Sequence, residues 1–204
     1  MNAQELKAAI IDSLENLTSI DFIACEVPFN HYRRKADLVV SKDNRITAFE
    51  IKSRYDNLDS LDSQLKDYER CFDEVVLVTS ETHLKNLTKV NRKYGLWVSD
   101  NERILKKRKP KTIKRHKKES LLSLLTNKEI KESFKDIKNK NLDNIEIQKF
   151  IEKSERMETI KNGVRNALKK RYRQRFLAFI EERGRSTHID DLILISRENP
   201  KKLR

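Results

Sequence analysis

The stretch RRKADLVVSKDNRITAFEIKS, Arg33 to Ser53, holds three residues able to act together: Asp37, Glu50 and Lys52. If Asp43-Asn44 forms a two-residue hairpin loop, Asp37 lies directly opposite Glu50 on the neighbouring strand. Side chains alternate along a strand, so Glu50 and Lys52 share one face while Phe49 and Ile51 take the other. Two carboxylates at a cross-strand Cβ separation of about 4.5–5.5 Å repel unless a cation sits between them, and they can grip one divalent ion. Lys52 would stand beside that ion, placed to orient an attacking water or to stabilise phosphate charge. An exposed hairpin face also carries Asp, Glu and Lys as ordinary residues. Here LVV follows Asp37, AF precedes Glu50, and Ile51 separates Glu50 from Lys52. Those apolar neighbours describe a buried central hairpin, and charge at that depth needs a reason.

The elements that must position this trio follow from periodicity. Leu6, Ile10, Leu14 and Leu17 form one stripe of a first helix over Asn2–Leu17. Phe22–Phe29, Ala36–Ser41 and Ile46–Lys52 read as strands, and Leu58–Phe72 as a helix. Glu74–Thr79 contains VVLV, an apolar run typical of a strand buried on both faces. Thr82–Tyr94 reads as a helix and Gly95–Ser99 as a strand. A meander of strands followed by crossovers predicts an α/β fold with a mixed sheet flanked by helices. The back half reads as helices over Glu119–Leu125, Lys128–Ile137, Ile145–Arg156 and Glu158–Glu182. Thr126 or Asn127 would cap the second of these, and Gly184 would stop the last.

Charge divides the chain. Of 204 residues, 45 are Lys or Arg and 32 Asp or Glu, a net of +13. Residues 1–105 hold 15 basic and 18 acidic residues, while residues 106–204 hold 30 and 14. Such asymmetry predicts contact with a polyanion, although a lysine-rich helical surface has the same composition. The run KKRKPKTIKRHKK, Lys106–Lys118, has nine basic residues and no acid, and Pro110 interrupts any helix. It reads as an extended linker between a domain at 1–105 and a basic helical region at 119–204. Lys106, Lys107, Arg108, Lys109 and Arg115 of this run are candidates for phosphate contact. So are Arg165, Lys169, Lys170 and Arg173, on a helix whose apolar stripe is Val164, Leu168, Tyr172 and Phe176. Such contacts fix position without reading sequence, so the expected partner is nucleic acid, bound in a salt-sensitive way.

Several classes are excluded. Three scattered glycines cannot build a Walker loop or a dinucleotide fingerprint. Four histidines and two cysteines show no zinc spacing. No apolar run is long enough to span a bilayer, so no membrane partner is expected. The first residues are amphipathic and carry acids, unlike a secretory signal. Cys25 and Cys71 alone do not suggest an oxidising compartment, and a reduced, cytoplasmic protein is expected.

At these residues the sequence resembles the PD-(D/E)XK nuclease superfamily. Asp37 and Glu50-Ile51-Lys52 match its motif, and Gln64 and Tyr68 match the Q-x-x-x-Y helix of RecB-like members. Over residues 20–99 the chain is similar to a bacterial and phage family of that superfamily, and around CEVPFNHYRRKADLVV to the MmcB-type DNA-repair proteins. The resemblance implies a restriction-endonuclease-like αβββαβ core, followed here by the basic helical region. It implies Mg²⁺- or Mn²⁺-dependent cleavage of nucleic acid, DNA being favoured. Asp37, Glu50 and the Ile51 carbonyl would bind metal. Lys52 would activate or position water, while Gln64 and Tyr68 would orient Lys52 or touch the phosphate. A further upstream acid would be Glu26 or Glu5, with Glu26 favoured by the MmcB-like pattern. Ala36 stands where the motif has proline. His83 matches a late histidine of the family or starts a helix. His31 reads as an exposed loop residue, Trp97 as core, and His188-Ile189-Asp190-Asp191 as a helix-start cluster. Many relatives act as dimers or inside larger assemblies. The other readings are a nuclease-fold DNA-binding protein without turnover, and a phage-type inhibitor or scaffold acting on a protein.

Overall fold

A computed structural model describes residues 1–87, 90–100, 103–134 and 142–196. The first helix, α1, spans Ala3–Asp12. Asn2 starts it: its side chain accepts from the Gln4 and Glu5 amides, and the Glu5 carboxylate returns to the Asn2 amide. This capping box gives Glu5 its role at the helix start and leaves it exposed. The helix stops well before Leu17, because Asn16 turns left-handed (φ 52°) and leads into a 3₁₀ turn at Leu17–Ser19.

Among the described residues, six strands form one sheet in chain order: β1 (Phe22–Phe29), β2 (Arg34–Lys42), β3 (Arg45–Lys52), β4 (Glu74–Ser80), β5 (Gly95–Asp100) and β6 (Arg103–Arg108). β1, β2 and β3 run antiparallel, β3 to β5 parallel, and β6 antiparallel to β5. Helix α2 (Leu61–Cys71) makes the crossover that the parallel β3–β4 pair requires. The fold is therefore α/β with a mixed sheet, in the order αβββαβ. The segment predicted as a helix over Thr82–Tyr94 is instead a 3₁₀ stretch, Glu81–Leu87, ending in a turn before Gly95.

The back half carries α3 (Lys118–Leu122), α4 (Asn127–Ser133), α5 (Asn144–Ser154), α6 (Met157–Glu182) and α7 (Leu192–Ile195). Thr126 caps α4 in a second capping box. The predicted end of that helix near Ile137 lies outside the described residues. Gly184 is not in the left-handed conformation expected of a helix stop; Arg183 leaves α6 in an extended conformation. α6 buries Ile160, Val164, Leu168, Tyr172, Phe176 and Phe179. Its Tyr172 ring lies 5.4 Å from Phe22 of β1. Each such side chain contributes about 1.5–3 kcal/mol when fully buried, so the basic half is fastened to the sheet through one continuous apolar core.

The basic run at 106–118 is not a free linker. Its first three residues, Lys106 to Arg108, belong to edge strand β6. The remainder lies along the sheet: the Lys111 amide bonds the Lys93 carbonyl and the Ile113 amide the Asp73 carbonyl. Gly95 is needed here, because a Cβ would meet Val76 Cγ2 at 3.0 Å and Pro110 Cδ at 3.1 Å. The sequence signal failed because lysines on an edge strand suppress further pairing, so they read as loop. Among the described residues, no helix is long and apolar enough to cross a membrane.

Candidate active site

The hairpin register expected from Asp43-Asn44 is the one observed. Both residues are left-handed (φ 50° and 57°), and pairing runs from Lys42 opposite Arg45 to Leu38 opposite Phe49. The next rung would set Asp37 against Glu50. There the ladder ends, and Asp37 Oδ2 accepts the Ile51 amide at 2.7 Å in place of a backbone partner. A strand residue directs its amide and carbonyl to the same side, so the Ile51 carbonyl faces this fork too. On the other side of β2, Cys25 pairs with Leu38 and Val27 with Ala36, but the Glu26–Asp37 rung between them is not formed. Glu26 sits there in a left-handed conformation (φ 53°). A non-glycine residue held in that region is strained, and such strain recurs at functional sites. Asp37 thus has an acid opposite it on each neighbouring strand.

Two lysines answer these acids. Lys52 Nζ lies 2.9 Å from Glu50 Oε1, and both side chains are largely buried. Lys7, from α1, is ion-paired with Glu26. Burial alone would lower the Lys7 pKa, but the bond to Glu26 and the nearby Cys25 and Asp37 outweigh it and leave it raised. Asp37 is the group left uncompensated. Burial, then the charge of Glu50, push its carboxyl up to about 7, against the opposing pull of the Ile51 amide and Lys7. Tyr68 closes the site from α2. Its hydroxyl donates to the Lys35 carbonyl at 3.2 Å, and its ring packs edge-on against Phe29. Burial, then Glu50 and Asp37, hold it as a neutral phenol. Gln64 is half-buried one turn away and accepts from Ser60 Oγ at 3.2 Å. It makes no hydrogen bond to Asp37, Glu50 or Lys52 among the described residues. A cleft of about 530 Å³, lined by Gln4, Glu26, Tyr32 and Lys35 among others, opens on the Glu26 end of the cluster.

Other side chains hold the frame. His83 Nε2 lies 2.9 Å from the Ser53 carbonyl, and the Asp56 carboxylate takes the Ser53 amide at 2.7 Å, fixing the backbone just after Lys52. Trp97 meets Phe49 edge-on at 5.1 Å, in the core. His31 is exposed in the β1–β2 loop, 3.9 Å from Glu119. Asp191 precedes α7 and accepts the His188 amide, as expected of a helix start.

A divalent ion suits the acids at the fork. Asp37 is half-buried and Glu50 buried on neighbouring strands, and it is burial first and the Glu50 charge second that raise the Asp37 carboxyl. Among the described residues no group of three His, Cys, Asp or Glu is arranged to share an ion. Mg²⁺ does not require one, since it keeps several waters and takes one or two carboxylates. Glu26 is turned to Lys7.

The family model for bacteriophage P4 protein cII matches residues 1–196. The chain belongs to that family. Protein cII of Enterobacteria phage P4 is 33% identical over 91 residues, 44% of this chain. The matched part spans 34% of that relative's length. Among solved structures, the SPO1766 protein of unknown function from Silicibacter pomeroyi aligns with a TM-score of 0.44 and 17% identity, over 56% of this chain and 75% of that one. The family's name agrees with the phage affiliation expected from the sequence.

In this member of the cII family, many of the basic residues chosen for phosphate contact have internal partners. Arg165 reaches Asp73 at 3.3 Å. Lys169 Nζ and Arg173 reach the Asp21 carboxylate and carbonyl, at 2.5 and 2.9 Å. Arg108 Nε bonds the Tyr94 carbonyl at 2.8 Å, and Lys106 bonds the Ser13 carbonyl while lying over the Trp97 ring. Lys170 pairs with Glu132 but stays mostly exposed. Lys107, Lys109 and Arg115 are exposed along β6 and the strap after it. The residue missed by sequence reasoning is Lys7. Its one available signal was its place beside Leu6, on a helix whose buried residues also include Ile10 and Ile11.

Proposed function

We propose that this protein is a metal-dependent nuclease hydrolysing phosphodiester bonds, with DNA the favoured substrate. The observation that carries this reading is the fork where β2 leaves β3: a half-buried acid, Asp37, on one strand, a buried acid, Glu50, on the other, and a lysine 2.9 Å from Glu50. Asp37, Glu50 and the Ile51 carbonyl would hold Mg²⁺ or Mn²⁺, which would supply Lewis-acid stabilisation of phosphate charge. Lys52, released from Glu50, would position the attacking water or meet the phosphate charge. Tyr68 stays protonated and holds the Lys35 carbonyl, which steadies β2 beside Asp37. The exposed Lys107, Lys109 and Arg115 would follow the phosphate backbone, joined by Lys170 on exchanging its exposed pairing with Glu132, and the cations paired in the interior would not.

The test is cleavage of single-stranded, double-stranded and branched DNA, and of RNA, with Mg²⁺ or Mn²⁺. Wild-type protein should cut at least one of these, and Lys52→Ala should lower the rate by about 10²–10⁴-fold with unchanged far-UV circular dichroism. Equal behaviour of the two proteins on every substrate removes the nuclease reading. The reading without turnover has one observation on its side: Lys52 and Glu50 already satisfy each other. DNA retardation that falls with salt, without cleavage, would favour it.

A further inference from the structure

Lys7 is the one buried lysine among the described residues, 3% exposed. It comes from α1, and its ammonium is fixed on Glu26. Glu26 in turn is held in a left-handed conformation opposite Asp37. A lysine is rarely buried unless it is paired, so the position is defined by the acids around it. Three carboxylates, Glu26, Asp37 and Glu50, are met by two ammonium groups, Lys7 and Lys52. One divalent cation turns this single negative excess into a single positive one, suited to a phosphodiester anion. Two divalent cations would leave three excess positive charges beside the buried Lys7 and Glu50.

Resting on the nuclease reading, we propose that the Lys7 ammonium occupies the place of a second divalent cation, so that the site loads one ion. Glu26 is then the partner of Lys7, and the ion rests on Asp37 and Glu50 alone. The one-ion site follows from the chain itself, through a side chain outside the motif.

The test is titration of the full chain with Mn²⁺, counting bound ions by electron paramagnetic resonance and checking folding by melting temperature. Wild-type protein should bind one Mn²⁺ per chain, and Lys7→Arg likewise. Lys7→Met should bind two, and adding Glu26→Gln to it should restore one. Glu26→Gln alone should keep one ion, a measurement that holds even if Lys7→Met fails to fold. Two ions in wild-type protein, one ion in folded Lys7→Met, or loss of the ion in Glu26→Gln each overturn the proposal while leaving the nuclease reading in place. No ion in any variant, together with no cleavage, overturns both.

Discussion

Two clusters of buried charge stand on this sheet and are built in opposite ways. At the β2–β3 fork, Asp37 has an acid on either side, and its carboxyl is pushed up to about 7. At the start of β4, Asp73 is surrounded by donors. It accepts the Ile46 amide at 3.0 Å and Arg165 at 3.3 Å, and His116 Nε2 lies 3.5 Å away. Burial alone would raise the Asp73 carboxyl, but His116, the Ile46 amide and Arg165 hold it below the usual carboxylate range. These partners come from β3, from the basic strap and from α6, so Asp73 ties three segments together. A buried acid with matched donors is a fastener. An acid with one amide donor and acids on either side, as at Asp37, is where the nuclease reading would put an added cation. Perturbed titration alone does not separate these cases, since structural ion pairs perturb it too; the sign does.

The largest effects should follow this division. Asp37→Ala should reduce cleavage below detection and leave the fold intact, as read by melting temperature; Glu50→Ala should abolish cleavage too, at a cost in melting temperature because Lys52 loses its partner. Asp73→Ala should do the reverse, because it leaves Arg165 facing a buried, empty position. Breaking a buried ion pair from one side costs about 3–5 kcal/mol, a fall of about 10 °C in a chain this size. Its cleavage rate per folded molecule should stay within about twofold of wild type. Full activity in Asp37→Ala would erase the contrast between the clusters.

The contrast sharpens with pH. Asp37 has a folded pKa above its unfolded value, so the folded state holds the extra proton between about pH 4 and pH 7. Stability from that group is fully present below about pH 4 and is lost as pH rises to about 7. Asp73 has a folded pKa below its unfolded value. Its contribution is present above about pH 4 and lost as pH falls through the folded pKa. Melting curves of Asp37→Asn and Asp73→Asn without divalent ions should therefore diverge from wild type in opposite directions at the alkaline end of the scale, and converge on it in acid. Asp37→Asn should gain several degrees at pH 8, and Asp73→Asn should lose most there. The same direction in both variants would show that neighbouring charge does not set these carboxyls.

The difference also explains what could be read from residue types. Asp37, Glu50 and Lys52 were legible because a hairpin with a two-residue turn fixes register within itself, and their neighbours Val39, Phe49 and Ile51 mark burial on both strands. The meander and the α2 crossover were legible for the same local reasons. The Asp73 fastener was not, because Asp73, His116 and Arg165 are brought together from distant segments. Arg165 looked like an outward cation on a basic helix, yet the periodicity of α6 says only which stripe is apolar. Lys7 was hidden likewise, since its partner Glu26 lies on another element. β6 was missed because its alternation is weak and its lysines resemble those of a loop.

The smallest effects concern the basic surface, where exposed and internally paired cations are interleaved. Lys107→Ala combined with Lys109→Ala removes two exposed charges from an edge strand and the residue after it. For every lysine–phosphate pairing removed, the slope of log affinity against log salt should fall by about 0.7–0.9, with melting temperature unchanged. Arg165→Gln removes as much formal charge per site but takes it from Asp73. It should lower melting temperature and leave the salt slope as it was. Binding titrations to a DNA duplex and a single strand at 50 to 200 mM salt, run beside melting curves, separate the two. If Arg165→Gln flattens the salt slope as much as the Lys107 and Lys109 pair does, the cations at Asp73 reach the partner as well as the core, and the division between fastener and site loses its second half.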